Sequence, residues 1–165
     1  ITAVLVADHG TVMINNKELL TKDRCNICLK VRSQDLKEGT DDSIVNAVDI
    51  LPSLTALNSI EDPCAAQRNG KRWAVPGGTE RDVARIESIS PLGTMYELVL
   101  RDDEFVFYYK TSINNGVLDI KSPKQNLYLA RQFDLGEYED VSEGYRRMFT
   151  KFRSRSQEIV NSVVI

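Results

Sequence analysis

Three cysteines and one histidine are the residues of this chain with the most specific chemistry. Cys25 and Cys28 form a Cys-x-x-Cys pair, Cys64 is the third thiol, and His9 is the sole imidazole. Three thiolates and one imidazole would suit a tetrahedral zinc ion. Residues 25–31, however, alternate in polarity as a strand does, which would point Cys25 and Cys28 to opposite faces. We therefore predict no metal site and no cofactor.

A structural disulfide is another use for these thiols, and the candidates are Cys25, Cys28 and Cys64. A bridge from Cys64 to either of the other two would tie the loop of residues 61–70 to an N-terminal sheet. Such a bridge typically contributes about 2–4 kcal/mol to stability. Reduced, buried thiols are the remaining alternative. Because the number of cysteines is odd, a disulfide-linked dimer also stays open.

Groups suited to catalysis are sparse. His9 lies in a predicted turn, and no nucleophile elbow occurs in the sequence. The Pro-Gly-Gly-Thr loop at residues 76–79 matches neither a phosphate-binding loop nor a dinucleotide fingerprint. We predict no catalytic residue. A cysteine-dependent enzyme remains an alternative, with Cys28 as nucleophile because Lys30 and Arg32 on its predicted strand face would favour the thiolate.

The most distinctive charge pattern lies in the last quarter of the chain. Residues 134–143 contain five acids and no base, and residues 144–155 contain five bases and no acid. The same part of the chain carries apolar residues spaced by three and four positions. This spacing predicts an amphipathic helix that packs on the preceding segments. The members of this apolar series are Val141, Tyr145, Met148, Phe149, Phe152, Ile159, Val160 and Val163.

The bases of this predicted helix form the candidate partner-binding surface. Arg147, Lys151 and Arg155 recur every four residues, and Arg146 and Arg153 flank the other side of the apolar series. Such a surface could bind an acidic protein partner or an anionic lipid. The simpler interpretation is a solvated helix face whose bases pair with the acids of the preceding segment.

Short segments separated by turns predict antiparallel strands, because parallel neighbours would need long crossovers. The predicted strands cover residues 1–7, 11–14, 25–31, 83–89, 94–100, 105–110, 117–120 and 126–133. Apolar residues at helical spacing predict a short middle helix near residues 43–51 that is interrupted by Pro52, with a further turn or two after the proline. The sequence therefore predicts an α+β fold: antiparallel β-meander sheets, a short middle helix and a long amphipathic C-terminal helix packed on the sheet. We expect a single domain over residues 1–165.

Composition and charge narrow the class of protein. The chain is 42 % hydrophobic and 27 % charged, as in an ordinary globular protein. No apolar run approaches the roughly 20 residues of a membrane span. A net charge of −3 disfavours nucleic-acid binding. The absence of an initiator Met, together with the cysteines, leads us to expect an extracytoplasmic or secreted protein.

Two functions from different classes follow as hypotheses. The leading one is a non-enzymatic protein-interaction module, exported or part of a surface or envelope assembly, that uses the basic helix face. The alternative is a carrier of a small apolar ligand, with a pocket inside the β-meander. Its predicted lining residues are Tyr96, Leu98, Phe105, Phe107, Tyr109 and Tyr128.

Overall fold

The structure, a computed structural model, describes residues 1–7, 20–41, 43–64, 70–73 and 81–163. It confirms the α+β class, with antiparallel sheets, a short helix and a C-terminal helix packed on a curled sheet. The predicted strand over residues 11–14, the turn that holds His9 and the loop over residues 76–79 lie outside the described residues.

The chain forms two compact units. Unit 1 comprises Ile1–Asp8 and Ile27–Ala84, and unit 2 comprises His9–Asn26 and Arg85–Ile165. The expected single domain is not tested by this division and stays a prediction.

Among its described residues, unit 1 contains a two-stranded antiparallel sheet and one α-helix. Strand β1 (Ala3–Val6) pairs with β2 (Leu29–Arg32), with Ala3 opposite Arg32. The predicted strand over residues 25–31 is therefore wrong in its first half. Lys22–Cys25 forms a helical turn, α1, which belongs to unit 2.

The helix of unit 1, α2 (Ile50–Leu57), starts later than predicted. A 3-10 turn (Ala47–Asp49) leads into it. Pro52 is the third residue of α2 and does not interrupt it, because backbone N–H groups in the first turn have no partner within the helix. The predicted boundary at Pro52 was wrong for this reason.

A buried ion pair joins α2 to the chain that follows. Asp49 is 1 % exposed, and its two carboxylate oxygens accept hydrogen bonds from both ends of the Arg81 guanidinium. The Lys71 backbone N–H donates to the same carboxylate at 2.6 Å, and the Asn46 N–H donates at 2.8 Å. Burial alone would raise the pKa of Asp49. The bonds from Arg81 and the two amides outweigh it, so that the pKa is lowered.

Close contacts also hold residues 70–73 against the start of α2. The Ser53 hydroxyl donates to the Asp49 carbonyl at 2.7 Å and accepts the Trp73 N–H at 3.0 Å. A Cβ on Gly70 would lie 2.1 Å from the Val48 carbonyl oxygen. Only glycine fits there, which lets residues 70–73 reach α2.

Unit 2 is organised around an antiparallel sheet. Its strands are β3 (Ala84–Ile89), β4 (Met95–Arg101), β5 (Phe105–Asn114), β6 (Val117–Leu118) and β7 (Lys124–Leu129). Strand β5 is central: β4 pairs along one side, β7 pairs along the other, and β6 pairs with the end of β5. The predicted strands over residues 83–89, 94–100 and 105–110 are confirmed within a few residues.

Both faces of this sheet are covered. Leu98, Leu100 and Phe107 share the face that receives the C-terminal helix, α4 (Arg146–Ser162). The other face carries a cluster of buried side chains, against which Cys25 and Ile86 also pack. The cluster consists of Leu20, Val99, Val106, Tyr108, Tyr128, Ala130 and Phe133.

The predicted strand over residues 126–133 is wrong in its second half. Strand β7 ends at Leu129, and α3 (Ala130–Leu135) follows directly. The change occurs at an Ala-Arg-Gln run of good helix formers, which single-sequence alternation does not separate from a strand. Gly136, with φ of 80°, ends α3 in the left-handed conformation that glycine adopts without strain.

Polar contacts hold α1 against the sheet of unit 2. The Leu20 N–H donates to the fully buried Glu97 carboxylate at 2.9 Å, and Lys110 lies 3.1 Å from its other oxygen. At the end of α1, the Asn26 side chain donates to Asp134 at 3.1 Å. The segment is thus fixed at both ends.

We predict that the substitution Asp49→Ala destabilises unit 1 by about 3–5 kcal/mol, because it leaves the Arg81 charge without its buried partner. Trp73 is the only tryptophan and lies in unit 1, so its fluorescence during urea unfolding reports on this unit. The exposed Asp35 provides the matched control, and Asp35→Ala should change stability by no more than about 0.5 kcal/mol. Equal effects of the two substitutions would contradict the anchoring role of Asp49.

We predict that Phe152→Ala lowers the stability of unit 2 by about 3–5 kcal/mol, because it opens a cavity between α4 and the sheet. Urea unfolding followed by circular dichroism measures the loss. Ser154, exposed on the same helix, is the control, and Ser154→Ala should have little effect. A Phe152→Ala variant as stable as the control would show that α4 does not depend on this contact.

Candidate partner-binding surface

The inward face of α4 is fixed by aromatic packing. Phe152, Ser156 and Val160 are buried, at one helical turn apart. The Phe107 ring stacks on Phe152 at 6.0 Å between centroids and lies 5.6 Å from the Phe149 ring. Phe152 and Val160 belong to the apolar series predicted from the sequence, whereas Ser156 does not. The packing of these residues sets the rotational position of the helix.

The start of α4 depends on Asp140. One carboxylate oxygen of Asp140 accepts the Leu127 N–H at 3.0 Å and the Ser142 N–H at 3.1 Å, and the other accepts from the Asn126 side chain at 2.9 Å. The Ser142 hydroxyl also donates to Asp140. Burial pushes the pKa of Asp140 up, but the bond from this hydroxyl and the three others outweigh burial and lower it. Asp140 thus anchors the turn before α4 to β7.

All five predicted surface bases, Arg146, Arg147, Lys151, Arg153 and Arg155, are exposed on α4. Within the part of the chain that the structure describes, none of them forms an ion pair or a side-chain hydrogen bond. Lys151 lies 6.0 Å from the centroid of the neighbouring Phe152 ring, near the edge of the packed face. We call these five residues the α4 basic surface.

In the simpler interpretation of the sequence, these bases pair with the acids that precede the helix. The structure does not form these pairs, and for Asp134 the reason is a different partner. Both carboxylate oxygens of Asp134 accept from the Arg101 guanidinium, one of them at 2.7 Å. The hydrogen bonds from Arg101 lower the pKa of Asp134. Asp134 and Asp140 are therefore occupied elsewhere. Sequence reasoning missed the Arg101 contact because the partners lie 33 residues apart on different elements.

The cysteines correct the disulfide prediction: Cys25, Cys28 and Cys64 are all free thiols. Cys25 ends α1 and packs against the buried cluster of unit 2, where a thiol serves as a small apolar group. Burial raises the pKa of the Cys25 thiol to about 12, despite the opposing effect of Arg101. Cys28 and Cys64 are exposed, so an intermolecular disulfide stays a prediction.

The alternative of a cysteine-dependent enzyme rests on Cys28. Cys28 lies immediately before β2, and Cys28, Lys30 and Arg32 are exposed while Leu29 and Val31 are half-buried. The described residues include all three cysteines but not His9, and they contain no group of three or more side chains suited to hold a metal ion. This alternative stays a prediction.

The residues predicted to line a carrier pocket are buried in unit 2. Phe105, Phe107 and Tyr109 lie on one face of β5, and Phe107 is in contact with α4. Tyr96 and Leu98 of β4 share this face, whereas Tyr128 lies on the opposite face, beside Val106. The carrier hypothesis stays a prediction.

A shallow cleft does occur in unit 1, and its character is polar. It has a volume of about 230 Å³ and lies beside Thr2, Ser33 and Asn58. The Thr2 hydroxyl donates to the Asn58 side-chain oxygen at 3.1 Å, and Thr2 and Ser33 hydroxyls are 3.2 Å apart. Such a lining does not match an apolar ligand.

None of the helices among the described residues is long and apolar enough to cross a membrane. Comparison with protein-family models, with curated proteins and with solved structures finds no match for this chain. What the protein does is therefore inferred from the chemistry of its surfaces.

We predict that iodoacetamide at mildly alkaline pH modifies Cys28 and Cys64 rapidly and Cys25 slowly, because burial disfavours both access to Cys25 and its thiolate. Mass spectrometry of peptides taken over a time course measures each rate. Denatured protein is the control, in which all three rates should become similar. Fast modification of Cys25 in the folded protein would contradict its packing against the core.

Proposed function

We propose that this protein is a non-enzymatic interaction module that binds an acidic protein partner through the α4 basic surface. The observation that carries this proposal is the coincidence of two features on one helix. The apolar face of α4 is packed on the sheet, and the flanking bases are exposed without acidic partners among the described residues.

The spacing of the bases supports a partner with a regular row of acids. Residues four apart on a helix lie about 6 Å apart along its axis. Arg147, Lys151 and Arg155 thus present three charges over about 12 Å. A carboxylate row of similar pitch, as on an acidic helix or an extended acidic segment, could contact all three. Arginine adds bidentate geometry toward carboxylates, which favours defined contacts over diffuse attraction.

The packing of α4 favours a protein partner over a lipid surface. A helix that binds a membrane interface inserts its apolar face into the lipid. The corresponding residues of α4, above all Phe152 and Val160, are 1 % and 4 % exposed. Only electrostatic attraction would then remain for a membrane. The net charge of −3 also disfavours nucleic acid as the partner.

Export, or a place in a surface or envelope assembly, remains part of this proposal. Small-ligand transport and cysteine-dependent catalysis are kept as alternatives without a supporting contact of their own.

We predict that neutralising the stripe of three bases weakens binding to a labelled polyglutamate peptide about tenfold. The variant is Arg147→Gln, Lys151→Gln and Arg155→Gln, and the expected loss corresponds to about 0.5 kcal/mol for each exposed ion pair. Fluorescence anisotropy measures the affinity, and affinity of the wild-type protein should fall as salt is added.

The matched control adds the same change in net charge at exposed positions outside the stripe of three bases, as Gln34→Glu, Thr40→Glu and Asn161→Glu. All three positions are exposed, and glutamate is a good helix former at the one position that lies in α4, Asn161. The control should lose no more than about threefold, since screening limits charge effects to about 8 Å at physiological salt. Equal losses in both variants, or no binding by the wild-type protein, would overturn the proposal.

A further inference from the structure

Three glutamates precede α4 along the chain, and like the residues of the α4 basic surface they form no ion pair among the described residues. Glu137, Glu139 and Glu143 are exposed, and none of them forms an ion pair or a side-chain hydrogen bond among the described residues. They are what remains of the five acids of residues 134–143 once Asp134 and Asp140 are engaged. We call these three residues the acidic segment.

Exposed apolar and aromatic side chains lie among and beside these acids along the chain. Leu135 is 63 % exposed, Tyr138 is 42 % exposed and Tyr145 is 44 % exposed. Tyr138 is held in place, because its ring lies 5.3 Å from the Phe133 ring and its hydroxyl accepts the Lys22 N–H at 3.4 Å. An exposed aromatic residue in a fixed position is of the type that is enriched at protein interfaces.

The acidic segment and the α4 basic surface follow one another along the chain. The acids end at Glu143, before the helix begins, and the bases extend to Arg155. With a rise of 1.5 Å per residue, Arg155 lies about 13 Å beyond Arg146. The charges thus have a fixed order, acids first and bases second, and no ion pair joins the two sets among the described residues.

We infer that the acidic partner is a second copy of this chain, in a two-fold dimer in which the α4 helices lie antiparallel. An antiparallel arrangement places the acidic segment of each copy beside the basic surface of the other, because the order of the charges reverses. A two-fold axis makes this contact twice, as in an isologous interface. The inference rests on the proposed function, since it names the partner of the same surface.

The test is a charge exchange followed by sedimentation velocity in the presence of reductant, which removes any disulfide-linked dimer. One variant carries Glu137→Lys, Glu139→Lys and Glu143→Lys. The other carries Arg147→Glu, Lys151→Glu and Arg155→Glu. Circular dichroism shows that each variant is folded before it is compared with the wild-type protein.

We expect the wild-type protein to form a dimer that weakens with salt, and each variant alone to associate at least about tenfold more weakly, because like charges then face each other. An equal mixture of the two variants should regain association, since both contacts are again between opposite charges. A failure of the mixture to associate would overturn the inference.

A second readout separates this inference from the proposed function. A wild-type protein that stays monomeric but binds polyglutamate through Arg147, Lys151 and Arg155 would overturn the self-association and leave the proposed function in place. A protein that neither self-associates nor binds polyglutamate would overturn both.

Discussion

The packing of α4 on the sheet of unit 2 is the contact on which the functional surface depends. Phe107 lies at the centre of this contact, against both Phe149 and Phe152. Because these rings fix the rotation of the helix, the bases that flank them must face outward. The same contact removes the apolar face from any partner, so that charge and geometry, not hydrophobic area, define what α4 can recognise.

The acids that precede α4 do not neutralise its bases. Asp134 is bonded to Arg101, and Asp140 holds the turn before α4 to β7. Both carboxylates have a lowered pKa, so they stay ionised and keep these structural roles at neutral pH. Asp134 and Asp140 are thus committed to the fold, and among the described residues no ion pair joins the remaining acids before α4 to its bases. A net charge of −3 therefore coexists with a local basic surface that has no internal partner among the described residues.

Periodic patterns predicted the fold well, and single contacts could not be predicted. Alternation located β4 and β5, and the spacing of Phe149, Phe152 and Val160 located α4, because periodicity is a local property of the chain. Helical and extended residues were confused at Cys25 and after Leu129, where short segments carry too few positions for a period. The Asp49–Arg81 pair joins residues 32 positions apart, and only the folded chain brings them together. The sequence identified the bases of α4. It did not predict that these bases would form no ion pair with the acids that precede them.

The measurement that tests the central claim most directly is a map of NMR chemical-shift changes in the whole chain as polyglutamate is added. If α4 presents a free basic surface, the side-chain signals of Arg147 and Arg155 should shift first. The signals of Phe152 and Val160 should move little, because the helix stays packed on the sheet. Shifts centred elsewhere, or large changes in the core that show α4 leaving the sheet, would contradict this account.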